Sequence, residues 1–433
     1  MASPTVFSLE GQGLKFDAAH DIESRIQALK DDDDVEEVRF QGNTLGVGAC
    51  EALAEVLSKK QKLQVRLQTN RGAGSLLPLT AISTQIANLA DIFTSRLLSE
   101  IPPALDALLK ALLALPNLHT INLSDNAFGL NTQAPLVAFL SAHTPLQHLI
   151  LNNNGLGPAA GTLIADALST LAEKKRAANA PALRTIICGR NRLENGSMAA
   201  WARAYAAHTG VREVKMVQNG IRQEGITHLL KEGLRHAAGL QVLDLQDNTF
   251  TAMGARALSD VVAGWEGLRE LGVGDCLLSA RGGVMLCEAL AKGKNGALEV
   301  LRLQYDEVDP KTLKGLADAV DAMPKLRRVE LNGNKFSEED VNLERLRETL
   351  HERMEEAGVS AKQAEDNWGI DELDELDEES DEEDEAEEEE EEEEEEARGE
   401  KEVERIKQAE DVPVPLVKDE DVDELAEMLE KDL

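Results

Sequence analysis

The sequence predicts an α/β solenoid, with short parallel strands along a concave face, helices along a convex face, and a disordered acidic tail. Three observations predict it. A phrase of the form LxxLxLxxNxL, complete over Leu146–Leu156, returns down the chain. Its Asn position recurs at Asn126, Asn154, Asn191, Asn219, Asn248, Cys276, Asp306 and Asn334, in steps of 28, 37, 28, 29, 28, 30 and 28 residues. Finally, 42% of the 433 residues are hydrophobic but only 3% are aromatic, so Leu and Ala must fill the core, which suits thin stacked layers.

The phrase is that of a leucine-rich repeat, and repeats of about 28 residues with a true helix build a horseshoe. The first clear copy is Val35-Glu36-Glu37-Val38-Arg39-Phe40-Gln41-Gly42-Asn43, followed by a helical stretch over Ala49–Leu57. Leu63 begins the next copy, but it resumes only near Ile86-Ala87-Asn88-Leu89. Between them, Val65–Gln85 has neither helical nor strand periodicity and reads as an insertion. It runs from Val to Gln and keeps the reading frame, as a retained intron would. From Asn126 on the register is regular. Each layer has a strand such as Val242–Leu245, an Asn turn, and a helix such as Gly254–Val262. The one long step, from Asn154 to Asn191, is assigned to a polar extension of a helix–strand loop over Ala172–Pro181. The ladder Asn is expected to hydrogen-bond backbone groups that the turn leaves unpaired. Asp306 can accept but not donate, and Cys276 does either weakly.

The horseshoe is expected to close after Asn334-Lys335-Phe336, with a capping helix over Glu338–Ala357. This sets a repeat domain at 1–357 and an acidic disordered tail at 358–433, since a dense run of one charge cannot fold on itself. Within the tail, Val422, Leu425, Leu429 and Leu433 fall at roughly helical spacing, which marks 419–433 as either a short docking helix or merely nascent structure.

Net charge is −36, and the run 371–396 holds 22 acidic residues and no Lys or Arg, which leaves the rest of the chain at −14. A nucleic-acid backbone would be repelled, and a basic protein partner is favoured. Cys50, Cys188, Cys276 and Cys287 are dispersed without a CxxC pair, which argues against zinc and a disulfide framework. Met1–Leu14 lacks the pattern of a secretory leader, and no apolar run approaches the ~18 residues of a membrane helix, so a soluble intracellular protein is expected.

No catalytic set stands out. His119, His148 and His208 are isolated and read as packed or surface histidines. There is no GxxxxGK[ST] phosphate loop. Two polar residues in strand-to-helix loops are singled out instead: Asn153, next to the structural Asn154, and Arg96, four residues past the ladder-equivalent Ile92. Two repeats apart, they are expected to be exposed on one edge of the horseshoe, roughly 10 Å from each other. By itself, either could be a solvated loop side chain.

The segments Leu118–Gly129, Leu149–Pro158, Ile186–Ser197, Val214–Gly220, Val242–Phe250 and Cys276–Gly282 resemble the repeats of Ran GTPase-activating proteins, of the fungal type with an acidic tail and no further folded domain. The resemblance spans roughly residues 8–345, and Cys188–Ser197 is its most specific part. It implies an activator of GTP hydrolysis on Ran, acting in trans on the GTP form. GTP and Mg2+ would stay with the partner, and this chain would hold no cofactor and no self-contained active site. Asn153 matches the residue that holds the GTPase's catalytic Gln, whereas Arg96 matches a candidate finger that serves docking or electrostatics instead. Ser95 stands where the family pattern has Gly. A monomer working with a Ran-binding protein, resident in the cytoplasm or by the nuclear envelope, is the corresponding expectation. No membrane or nucleic-acid partner is implied. The acidic tail either solubilises the chain or steers it toward a basic surface on Ran. The competing readings are a non-catalytic scaffold of the ribonuclease-inhibitor type, disfavoured by only four cysteines, and an acidic histone chaperone, disfavoured by the repeat length.

Overall fold

The structure is a computed structural model that describes residues 5–60, 85–360 and 367–377, together with Gly399, Lys401 and Val403. Most of the expected insertion, the acidic run after Asp377 and the docking helix or nascent structure at 419–433 lie outside the described residues. The strands are β1 (Val6–Ser8), β2 (Lys15–Phe16), β3 (Glu37–Arg39), β4 (Thr44–Leu45), β5 (Gln85–Asn88), β6 (Leu118–Asn122), β7 (His148–Ile150), β8 (Thr185–Ile187), β9 (Glu213–Lys215), β10 (Val242–Asp244), β11 (Glu270–Gly272), β12 (Val300–Arg302), β13 (Arg328–Glu330) and β14 (Gly369–Ile370). The helices are α1 (Ala19–Glu23), α2 (Gln27–Asp31), α3 (Val47–Leu57), α4 (Ile101–Leu113), α5 (Gln133–Leu140), α6 (Gly157–Ala177), α7 (Met198–Ala207), α8 (Gln223–His228), α9 (Thr251–Val261), α10 (Ser279–Leu290), α11 (Pro310–Ala319) and α12 (Val341–Glu356). All strands but β2 and β4 form one parallel sheet in chain order, and those two pair with each other. A leucine-rich repeat solenoid is therefore the observed fold.

The repeat phrase explains each layer. Leu146, Leu149, Leu151 and Leu156 are all buried, and their equivalents stack in neighbouring layers to make one continuous core. Burying a Leu side chain stabilises by about 1.5–3 kcal/mol, so the repeated leucines carry the fold. The ladder then satisfies the turns. Asn154 Nδ2 donates to Leu123 O (3.0 Å) in the previous layer and Leu151 O (3.2 Å) in its own. Its Oδ1 accepts from Asn126 N (3.0 Å). Asn191, Asn219 and Asn334 repeat the pattern. Cys276 makes only long Sγ contacts at 3.5 Å, to Leu245 O and Gly274 O.

The structure departs from the sequence reading in four places. The sheet starts at β1, one layer before Val35, because Val6–Ser8 pairs with Glu37–Arg39 although its segment lacks the leucine spacing. The long step after Asn154 is taken up by helix: α6 runs 21 residues and includes Ala172–Ala177. Ala, Glu, Lys and Arg are good helix formers, and Lys175 turns inward to donate to Thr144 O (2.7 Å), Pro181 O (2.8 Å) and Leu146 O. Third, β5 meets β6 with a register shift between Gln85 and Ile86.

Fourth, the repeat unit does not end at residue 357. After α12 the chain crosses back and adds β14 to β13. Asp371 accepts from Leu331 N (2.7 Å) and Asn332 N (3.1 Å), Asn332 Nδ2 donates to Asp374 (2.8 Å), and Asp377 N donates to Asn334 O (2.9 Å). Ile370, Leu373 and Leu376 pack against the core. The first part of the acidic run is thus a cap for the open sheet edge, its carboxylates paired with amides that would otherwise face solvent.

Candidate functional site

The loops that leave the strands share one backbone device. The residue before each ladder position is left-handed: Asp91 (φ 48°), Asp125 (61°), Asn153 (51°), Arg190 (56°), Gln218 (54°), Asp247 (55°), Asp275 (56°), Tyr305 (57°) and Gly333 (72°). This conformation turns each backbone N–H onto the next layer, as in Asp125 N→Asn152 O (3.0 Å), Asn153 N→Gly189 O (2.9 Å) and Arg190 N→Val217 O (2.8 Å). Gly, Asn and Asp adopt it at least cost, which explains their prevalence here.

Asn153 belongs to this row, on the layer begun by β7, and is exposed as the sequence reading expects. Its Nδ2 donates to Asp125 Oδ1 (2.9 Å) on the previous layer. The amide is therefore held in one orientation, and its Oδ1 accepts no hydrogen bond from the described residues. Backbone and side chain are both fixed, which is what a positioning group needs.

Arg96 is a correction. β5 and β7 are two strands apart, as expected, but the Arg96 side chain is not exposed: only 5% of it is accessible. Its guanidinium folds back onto the amino-terminal layers and donates to Phe16 O (3.0 Å), Thr44 O (3.1 Å) and the Asp17 carboxylate. The Arg96 hydrogen bond holds the Asp17 carboxyl below its ordinary range. A Cβ on Gly46 would lie 2.5 Å from Asp17 O and 3.1 Å from the guanidinium, so the absent side chain there makes room first for the Asp17 backbone and then for Arg96. Ser95 has φ 66°, which gives a backbone reason for glycine at that position.

Arg190 and Arg192, on the loop after β8, were passed over in the sequence. Both are exposed and left-handed, at φ 56° and 55°. The conformation itself is the repeat's, since the positions of Arg190 and Arg192 are also left-handed at Asp125 and Ala127 and at Asp275 and Leu277, so what sets this loop apart is its two exposed guanidinium groups. The signal was within reach: in register, Arg190 stands where the two preceding layers carry Asp125 and Asn153.

The concave face offers less. Arg302 lies between Glu270 (3.7 Å) and Glu330 (3.3 Å), and Arg269 (2.7 Å) and Arg327 (3.5 Å) share Glu299, so these charges are already paired. The histidines are packed, as expected. His148 Nδ1 lies 3.0 Å from Thr185 Oγ1 and His208 Nε2 2.8 Å from Leu168 O, and burial pushes both down to about 4. Burial also lowers His119. All four cysteines are buried and unpaired. Among the described residues no cluster of His, Cys, Asp and Glu is placed to hold a metal, and no helix is long and apolar enough to cross a membrane.

Comparison with known proteins agrees with this architecture. A leucine-rich repeat family model matches residues 240–259. Ran GTPase-activating protein 1 of Saccharomyces cerevisiae is 37% identical over 346 residues, 79% of this chain and 81% of that protein. The Drosophila melanogaster Ran GTPase-activating protein is 32% identical over 336 residues, covering 77% of this chain and 52% of its own length. Ran GTPase-activating protein 1 of Xenopus laevis is 37% identical over 218 residues, 49% of this chain and 34% of that protein. With a 37% identical relative matched over most of both chains, this chain belongs to the Ran GTPase-activating protein family.

Proposed function

We propose that this chain accelerates GTP hydrolysis by a Ran-type GTPase in trans, with Asn153 positioning the partner's catalytic Gln. Family membership supports the activity. The observation that carries the mechanism is the Asn153 amide, exposed on a rigid turn, with Nδ2 engaged by Asp125 and Oδ1 open. Hydrolysis of the γ-phosphoryl needs an in-line water oriented by the GTPase's Gln, and charge stabilisation around the leaving oxygens. The open Oδ1 would accept from the Gln side-chain amide and hold it in the rotamer that orients the water. An arginine finger is worth about 10³–10⁵ in rate in systems that use one. Arg96 is committed to Phe16, Asp17 and Thr44, which favours a supporting role for it over a finger.

On this reading GTP and Mg2+ stay with the partner, and the chain has no self-contained active site. It acts as a monomer on the GTP-bound form, alone or with a Ran-binding protein, in the cytoplasm or at the nuclear envelope. Single-turnover hydrolysis on Ran·GTP tests it. Asn153→Ala is expected to lose roughly 100-fold or more of the maximal rate at saturating activator, the scale of a lost positioning contact. Arg96→Ala should keep the maximal rate and need more activator to reach it. A comparable loss of maximal rate in Arg96→Ala, Arg190→Ala or Arg192→Ala would return a guanidinium to the chemistry. A wild-type chain without effect would leave a binding scaffold.

A further inference from the structure

Nine large hydrophobic residues are exposed among the described residues: Val6 on the first strand, Leu113, Leu163 and Val341 on three separate helices, and five in strand-to-helix loops. Leu277 and Tyr305 follow β11 and β12, and the Tyr305 hydroxyl is already bonded to Glu375. The other three lie beside the Asn153 layer. Leu97 (68% exposed), Leu98 (62%) and Leu130 (49%) occupy consecutive strand-to-helix loops, after β5 and after β6. Those loops adjoin the one that carries Asn153. Isolated exposed leucines are ordinary, but a cluster on one edge marks a surface that something covers.

The loops are stiff. Leu97 N donates to Glu100 Oε2 (3.0 Å), Glu100 N to Leu97 O (2.9 Å) and Arg96 N to Phe93 O (3.1 Å). The three hydrogen bonds of the Arg96 guanidinium tie the same turn to the amino-terminal layers. Because Arg96 turns inward, the two residues after it are left facing solvent. Leu130 is fixed from the other side, since Gly129 N donates to Asn154 O (2.9 Å), in the turn that presents Asn153. An apolar surface already ordered in this way loses little entropy on binding.

We propose that Leu97, Leu98 and Leu130 form an apolar docking patch for the same GTPase that Asn153 acts on, and that Arg96 is the positioning residue that presents Leu97 and Leu98. The proposal rests on the activator reading. The occupant follows from continuity and charge. The leucines lie in the two loops that precede the Asn153 turn in the stack, and Asp91, Glu100 and Asp125 belong to the same two loops, Asp125 being bonded to Asn153. The matching surface is an apolar spot rimmed by Lys or Arg on the GTPase, close to its nucleotide. The patch supplies binding energy and Asn153 supplies the rate.

The test is single-turnover hydrolysis on Ran·GTP over a range of activator concentrations, at low and at high salt. Leu130→Ser is expected to raise the half-saturating concentration roughly tenfold, the scale of one Leu burial, and Leu97→Ser/Leu98→Ser, which removes two, by more than that, with the maximal rate kept in both. The ratio to wild type should not change with salt, because the contact is apolar. Leu97→Met/Leu98→Met should restore most of the affinity, and Val341→Ser, exposed elsewhere, should change nothing. Adding Arg96→Ala to the Leu97→Ser/Leu98→Ser variant should cost nothing further, since both act through one turn. Thermal unfolding of each variant checks that the fold is retained. An unchanged half-saturation in the Leu variants, beside an active wild type, overturns the patch and leaves the activator reading intact. A fall in maximal rate instead also overturns it. An inactive wild type sinks both readings together.

Discussion

Asp306 holds a ladder position that most layers give to Asn, and the exchange has an energetic cost. Its Oδ1 accepts from Cys276 N (2.9 Å), as an Asn would, but its Oδ2 is buried and has no partner among the described residues. In the next layer, Asn334 uses its Nδ2 there to donate to Leu303 O (2.8 Å) and Leu331 O (2.7 Å). A carboxylate has no proton for such carbonyls. Burial therefore pushes the Asp306 carboxyl well above its ordinary range, with Asp275 and Glu307 adding to the shift. Protonated, it can donate where Asn donates. The sign follows from this. A carboxyl raised on folding contributes most stability below its unfolded value near 3.9, and that contribution is lost as pH rises through the folded value. Asp306→Asn is thus expected to stabilise the chain by about 1–3 kcal/mol at neutral pH, with the gain shrinking toward pH 4. Denaturant melts at several pH values check it, and a gain that does not vary with pH would count against a protonated Asp306. At this scale the sequence was readable where a residue's place depends on the repeat itself. Ladder register alone puts Asn153 outside and Asn154 inside. It cannot place Arg96, whose partners Phe16 and Asp17 lie about 80 residues earlier in a non-repeating cap.

Single elements were legible to the extent that they repeat. Strand centres and most helices follow from the leucine phrase, whereas the end of α6 does not, because Ala172–Ala177 offers helix formers but no apolar period beyond Leu171. The β5 layer has a different fault. Gln85 stands opposite Leu118, and the ladder slips at the next residue, since Ile86 pairs with Thr120. Removing Val65–Gln85 would join Leu63-Gln64 to Ile86-Ala87-Asn88-Leu89, giving the same LxxAxL spacing that Leu118–Leu123 fills as LxxIxL. Leu63 would then fall opposite Leu118 with no slip. The direct pairing of β3 with β5 shows that the sheet does not need the removed residues as a spacer. The shortened chain is expected to melt at the same temperature as the full one or a few degrees higher, and to keep its activity on Ran·GTP. A lower melting temperature, measured by circular dichroism, would show that the segment supports the layer.

The whole molecule is a stack, so its ends decide how it starts to come apart. The carboxyl-terminal cap was hidden in the sequence by its acidity. Asp371–Asp377 reads as the start of a solvated run, yet Ile370, Leu373 and Leu376 carry an apolar spacing through it and Asp371 caps two strand amides. The tail therefore divides in function at about Asp377. Residues before it close the sheet, and residues after it carry most of the net charge of −36. Two truncations separate the roles. A chain ending at 357 loses β14, the Asp371 hydrogen bonds and the contacts of three apolar side chains, worth about 2–4 kcal/mol together. It should begin to unfold at a lower temperature than a chain ending at 377. The chain ending at 377 keeps the cap but loses the long-range field that would draw a basic partner, which acts mainly on association rate. Its half-saturating concentration on Ran·GTP should exceed that of the full chain at low salt, with the maximal rate kept. The difference should vanish as added salt shortens the Debye length to a few ångströms. If the two truncations melt alike, the cap is not a structural end. If the longer one matches the full chain at every salt concentration, the tail does not steer.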